Sequence, residues 1–192
     1  MDAVFSYLAE NFDLPILDWI AAHIHCEFLD RIMPQITALG DGGIFWIALT
    51  VLLVLLPKQR KTGLSMALSL ILGMLICNLT LKPLCARMRP YDYQLTHFGR
   101  VIPLLIEAET SFSFPSGHTI GSFEAATALC IRNRKLGIPA LILASLIAFS
   151  RLYLYVHYPT DVLSSVVLGI GIAFCASRLV DSGHRFFRRH GL

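Results

Sequence analysis

The stretch Ser113-Phe114-Pro115-Ser116-Gly117-His118-Thr119 stands where a polar segment gives way to an apolar run. Pro115 can fix φ at or just before a helix start, Ser116 supplies a capping oxygen, and Gly117 lets another group approach the backbone. The free N–H groups of a first helical turn form an anion site. His118, one or two residues in, sets a proton donor beside that site. Taken alone, the string reads most simply as an ordinary helix entry. What surrounds it decides the matter.

Two further clusters flank it. Upstream lies Lys82-Pro83-Leu84-Cys85-Ala86-Arg87-Met88-Arg89-Pro90, a Lys-x6-Arg-Pro pattern. Downstream, Ser150-Arg151 is followed by His157 and then Asp161, a Ser-Arg-x5-His-x3-Asp pattern. In this order and spacing the three strings resemble the signature of the type 2 phosphatidic acid phosphatase superfamily. The resemblance covers Lys82 to Asp161.

Composition sets the class. The chain has 192 residues, enough for one domain; 55% are hydrophobic, 15% charged, and the mean hydropathy is +0.64. Soluble domains carry roughly 25% charged residues, so an integral membrane protein is the expected class. A net charge of +3 without a basic, aromatic-interleaved patch argues against a nucleic-acid partner. The five cysteines show no CxxC or Cys/His spacing, so neither a disulfide framework nor a metal site is expected. The acidic N-terminus, with Asp2, Glu10 and Asp13, does not read as a cleaved signal peptide.

The pattern predicts an all-α, polytopic membrane helix bundle forming a single domain over 1–192. Residues 1–27 read as an amphipathic surface helix, with Leu14, Ile16, Leu17, Ile20 and Ala21 on its apolar stripe and Asp13 and Asp18 off it. Five spans are expected: 29–57 with a bend near Gly40-Asp41-Gly42-Gly43, then Gly63–Leu81, Ser116–Cys130, Ile138–Tyr155 and Asp161–Val180. The alternative is a sixth span over 14–39. Pro83–Phe114 reads as an irregular polar loop, with the apolar Val101–Ile106 lying on the membrane and Tyr91, Tyr93, Phe112 and Phe114 as interfacial aromatics. Basic segments at 58–61, 132–135 and 185–189 alternate with the motif ends. The positive-inside rule therefore puts the motifs on the outer face of a plasma membrane.

Lys82, Arg89 and Arg151 converge near that face. Singly each reads as a snorkelling side chain. Together, on the side that positive charge avoids, they call for an anionic substrate, whose oxygens suit Arg forks and a Lys point charge. The resemblance implies the roles. His157 attacks phosphorus, Asp161 orients it, and His118 protonates the leaving oxygen. Lys82, Arg89, Ser116, Gly117 and Arg151 hold the phosphoryl group, and no metal or other cofactor takes part. Arg87 is a candidate substrate contact, and Glu124 is either a functional carboxylate or a helix-packing one. The resulting expectation is a lipid phosphatase working on a membrane lipid phosphate, with undecaprenyl diphosphate favoured over phosphatidic acid or phosphatidylglycerol phosphate. The rivals are a vanadate-dependent haloperoxidase, disfavoured by the apolar spans, and an anion- or phospholipid-binding transporter.

Overall fold

A computed structural model describes the backbone of residues 2–189, without the side chains at 2 and 187–189. Ten α-helices account for most of it, and no strand occurs among the described residues. Helix α1 (Asp2–Leu8) passes through a wide turn at Ala9–Asp13 into α2 (Leu14–His23). Helices α3 (Glu27–Ala38) and α4 (Ile44–Leu55) are bent by 43° about Gly40–Gly43, where Gly42 and Gly43 have positive φ. Helix α5 (Arg60–Met74) widens over Leu75–Leu81 before α6 (Lys82–Cys85). After α7 (Pro90–Phe98) come α8 (Gly117–Arg132), α9 (Arg134–Tyr153) and α10 (Pro159–Arg189).

Three helical runs are long and apolar enough to cross a membrane, starting at Arg60, Arg134 and Pro159, and the bent α3–α4 pair makes a fourth. Helix α8 is shorter, at 16 residues, and is the most enclosed element, buried without a break from Ser122 to Leu129. Its small residues explain the enclosure. Ala125, Ala126 and Ala128 are fully buried and let neighbouring helices close in, as small residues do between helices in lipid. Trp46 Nε1 donates to Ser122 Oγ at 3.0 Å and pins α4 to α8. At the far end of α8, Arg132 donates to Ser65 Oγ at 2.8 Å and pairs with Asp181 at 3.1 Å, joining α5, α8 and α10.

Two expectations need correcting. The 83–114 segment is not irregular throughout: Pro90 at the first turn and Gly99 at φ 64 bound the helix α7, a start-and-stop pair legible in the sequence. Within it Tyr91 and Tyr93 are buried rather than interfacial, and Ile102, Leu104 and Ile106 pack against the same cluster. Asp13 is fully buried, not on an outer face. The wide turn at Ala9–Asp13 shifts the helical phase, so Asp13 joins Leu14, Leu17 and Ile20 on the inward side.

Candidate active site

The ends of α6, α8, α9 and α10 meet at one end of the bundle. A cavity of about 290 Å³ there is lined by Lys82, Glu109, Gly117, His118, Glu124 and His157, with Gly40, Gly73 and Asn78 among its other walls. Both sequence-predicted histidines thus face one space.

His157 lies in the turn between α9 and α10 and is 1% exposed. Its Nδ1 faces Asp161 Oδ2 at 3.6 Å, with Ser113 Oγ at 3.5 Å. Its Nε2 lies 3.3 Å from Arg89 Nη1. A guanidinium only donates, so Nε2 carries the lone pair and Nδ1 the proton. Burial, and then the charges of Arg89 and Arg151, hold the imidazole well below its usual range. A neutral ring with its lone pair at Nε2 is a nucleophile.

Asp161, in the first turn of α10, is fully buried. Its Oδ2 accepts from Ser113 Oγ at 2.5 Å and from the Tyr158 N–H at 3.1 Å, while Oδ1 accepts from Arg87 at 2.5 Å. His118, at the start of α8, sets its Nε2 2.7 Å from Asp41 Oδ1. Asp41 therefore fixes the ring from the α3–α4 bend. With that nitrogen occupied, a proton on Nδ1 is the one left to give.

The cations are arranged around an anion already in place. Arg89 donates from Nε to Ser111 O at 2.7 Å and from Nη1 to Val156 O at 2.8 Å. Its Nη2 pairs with Glu109 Oε2 at 2.5 Å, and the other Glu109 oxygen pairs closely with Arg151 Nη2. Arg151 also donates to Thr37 Oγ1 at 2.5 Å, and its buried Nε finds no acceptor among the described residues. Lys82 Nζ donates to Ser111 Oγ at 3.1 Å. The Glu109 carboxylate thus bridges two of the arginines expected to bind phosphate.

Two site residues stand differently from expectation. Ser116 is fully buried: its N–H goes to Ser165 Oγ at 2.9 Å and its hydroxyl caps α8 by accepting from Thr119, so it does not line the cavity. Gly117 does line it, with no acceptor on its N–H among the described residues. Arg87 faces away from the cavity, 4% exposed, its guanidinium taken up by Asp13 and Asp161. Glu124 is 2% exposed, its Oε2 unpaired, and a methyl group on Gly73 would collide with its carboxyl. Asp41, Glu109 and Ser113 went unassigned in the sequence. Their contacts span 20 to 77 residues, for which local spacing gives no signal, although Ser113 stands at the edge of the deciding stretch.

Comparison with known proteins bears on the family and the fold. The chain is 35% identical over 157 residues to the undecaprenyl-diphosphatase BcrC of Bacillus subtilis, covering 82% of this chain and 78% of that protein. It is 31% identical over 139 residues to an undecaprenyl-diphosphatase of Sulfolobus acidocaldarius, covering 72% of this chain but 65% of that relative's length. Its fold matches a PAP2-type phosphatidylglycerolphosphate phosphatase from Bacillus subtilis with a TM-score of 0.70 at 27% identity, over 95% of this chain and 88% of that one. Aquifex aeolicus LpxE shares the fold with a TM-score of 0.73 at 24% identity, over 88% of this chain and 98% of that one. The PAP2 superfamily model matches residues 62–185, so the chain belongs to the PAP2 superfamily.

Proposed function

We propose that the protein is a membrane lipid phosphatase that removes the terminal phosphate of undecaprenyl diphosphate through a phosphohistidine at His157. The observation that carries the reading is the pairing of two differently held histidines on one cavity that Lys82 also lines, with Arg89 3.3 Å from His157 behind it. His157 Nε2 attacks phosphorus and forms the N–P bond while the bridging P–O bond breaks. His118 gives its proton to the leaving oxygen. Water then attacks phosphorus, His118 takes its proton, and phosphate leaves His157. Lys82, Arg89, Arg151 and the Gly117 N–H offset the charge on the equatorial oxygens. Asp161 holds the imidazole tautomer and faces the positive charge that develops on the ring.

In this reading the chain crosses a plasma membrane five times, with α1 and α2 lying over the site end. The basic segments at 58–61, 132–135 and 185–189 face the cytoplasm and the site faces outward, supported by the alternation of charge with motif along the helices. The diphosphate preference is supported by the names of the relatives above. Phosphatidylglycerol phosphate is the second reading, supported by the Bacillus subtilis structure that shares the fold. The test is phosphate release by the purified protein in detergent with EDTA, comparing undecaprenyl diphosphate, phosphatidic acid and phosphatidylglycerol phosphate. The highest kcat/KM is expected for the diphosphate. A higher value for either phospholipid moves the assignment to it, and no release from any of the three refutes the phosphatase reading.

A further inference from the structure

The segment ahead of the matched family residues contributes a buried carboxylate that the mechanism above does not use. Asp13 Oδ2 accepts from Arg87 Nη2 at 2.7 Å and Thr160 Oγ1 at 2.7 Å, and Oδ1 accepts from the Thr160 N–H at 2.9 Å. The same guanidinium donates from Nη1 to Asp161 Oδ1 at 2.5 Å and to Thr160 Oγ1 at 2.8 Å. Its central carbon lies 3.8 Å from the Tyr158 ring centroid and 4.8 Å from that of Phe5, so the fork has little freedom to turn. One buried cation is therefore shared by two fully buried carboxylates, and one of them faces His157.

We propose that Asp13 is a positioning residue for phosphoryl transfer, acting on His157 through Arg87, Thr160 and Asp161. The proposal rests on the roles given above to His157 and Asp161. Two carboxylates sharing one guanidinium leave a net negative charge, so Asp161 keeps charge to set against the ring of His157. Without the Asp13 charge, Arg87 pairs with Asp161 alone and neutralises it. Asp13 also fixes the backbone at Thr160, the residue before Asp161. Asp13 and Arg87 do not line the cavity, so their effect falls on turnover rather than on substrate binding.

The test is Asp13→Asn, which keeps the shape and removes the charge, made in the wild type and in an Asp161→Asn background. Phosphate release from undecaprenyl diphosphate in detergent is followed together with thermal unfolding. Groups that orient a first-line ligand typically change activity by about 10- to 100-fold, and a loss of kcat in that range is expected. KM should stay within about twofold, as for an interaction that matters only in the transition state. In the Asp161→Asn background the further loss should be under about threefold, because the two residues act as one unit. An unchanged kcat in a folded variant, or an equal loss in both backgrounds, overturns the proposal in favour of a plain anchor for the N-terminal segment. Should Asp13→Asn fail to fold, Arg87→Lys keeps the cation but cannot reach both carboxylates as a fork. It should lose kcat at constant KM, and full kcat would again overturn the proposal. A wild type inactive on undecaprenyl diphosphate, phosphatidic acid and phosphatidylglycerol phosphate alike refutes the phosphatase reading; an active wild type with a fully active Asp13→Asn refutes only this inference.

Discussion

Replacing Glu109 by Gln should make the enzyme bind phosphate-like anions more tightly. The carboxylate bridges Arg89 and Arg151, one oxygen to each, with its side chain 25% exposed. A phosphoryl group that uses those arginines has to displace it. Hydrogen bonds to charged groups contribute about 1.5–3 kcal/mol each, and the neutral amide, with one acceptor oxygen, keeps one of the two contacts while its NH2 cannot accept from the other guanidinium. The internal competitor then loses about 1.5–3 kcal/mol over its two contacts, equivalent to about 10- to 100-fold in affinity for an incoming anion. The assay is inhibition by vanadate and by inorganic phosphate, alongside KM for the lipid substrate. Both inhibition constants should fall in Glu109→Gln and respond less in Glu109→Asp, whose shorter side chain retains charge but cannot span both guanidiniums. Unchanged or raised constants in a well-folded Glu109→Gln would refute the assignment of Arg89 and Arg151 to the phosphate.

Three more perturbations probe the frame around the site. A methyl group at Gly40 would lie 2.6 Å from His118 Cδ2 and 3.1 Å from Ile147 Cγ2, although the backbone there, at φ −91, accepts alanine. Gly40→Ala should therefore displace the general acid and lower kcat by about 10- to 100-fold, more for lipid substrates than for an aryl phosphate whose leaving group needs no proton. Ser113→Ala removes a hydroxyl donated to Asp161 at 2.5 Å, and steady-state kinetics should show kcat reduced by about tenfold or more, the kinetic equivalent of losing one charge-assisted bond. His157 is held well below 6.5 in the folded protein, whereas the unfolded chain protonates it near that value. Its contribution to stability is thus intact above 6.5 and is lost as pH falls from 6.5 toward the folded-state value. Thermal unfolding in detergent should shift downward over that acid range, and less so in His157→Asn.

Much of this architecture can be read from local pattern. The all-helical, apolar architecture, the bend at Gly40–Gly43 and the convergence of His118, His157, Lys82, Arg89 and Arg151 follow from hydropathy, charge alternation and motif spacing. These are properties of neighbouring residues. What escaped were pairings across the chain. Arg87 stands two residues from Arg89 and looks like a second phosphate ligand, yet its partner Asp13 is 74 residues away. Asp41 looks like part of a glycine-rich bend, and only the packing of α8 against that bend turns it into the partner of His118. A steady 3.6-residue period sets Asp13 outward, and the wide turn at Ala9–Asp13 does not keep that period. At Ser116 a helix cap and an anion site use the same backbone positions, and Ser165 Oγ, by accepting the Ser116 N–H, decides for the cap.

The central claim is that His157 carries the phosphoryl group. The direct measurement is rapid quenching of the purified protein with lipid diphosphate labelled at its terminal phosphate, in the presence of EDTA, followed by mapping of the label under alkaline conditions that preserve phosphohistidine. The account predicts transient label on the peptide containing His157 in the wild type, longer-lived label when His118 is replaced by Ala and a substrate with a good leaving group is used, and none in His157→Ala. Turnover with no label at His157, or turnover that survives His157→Ala, would contradict it.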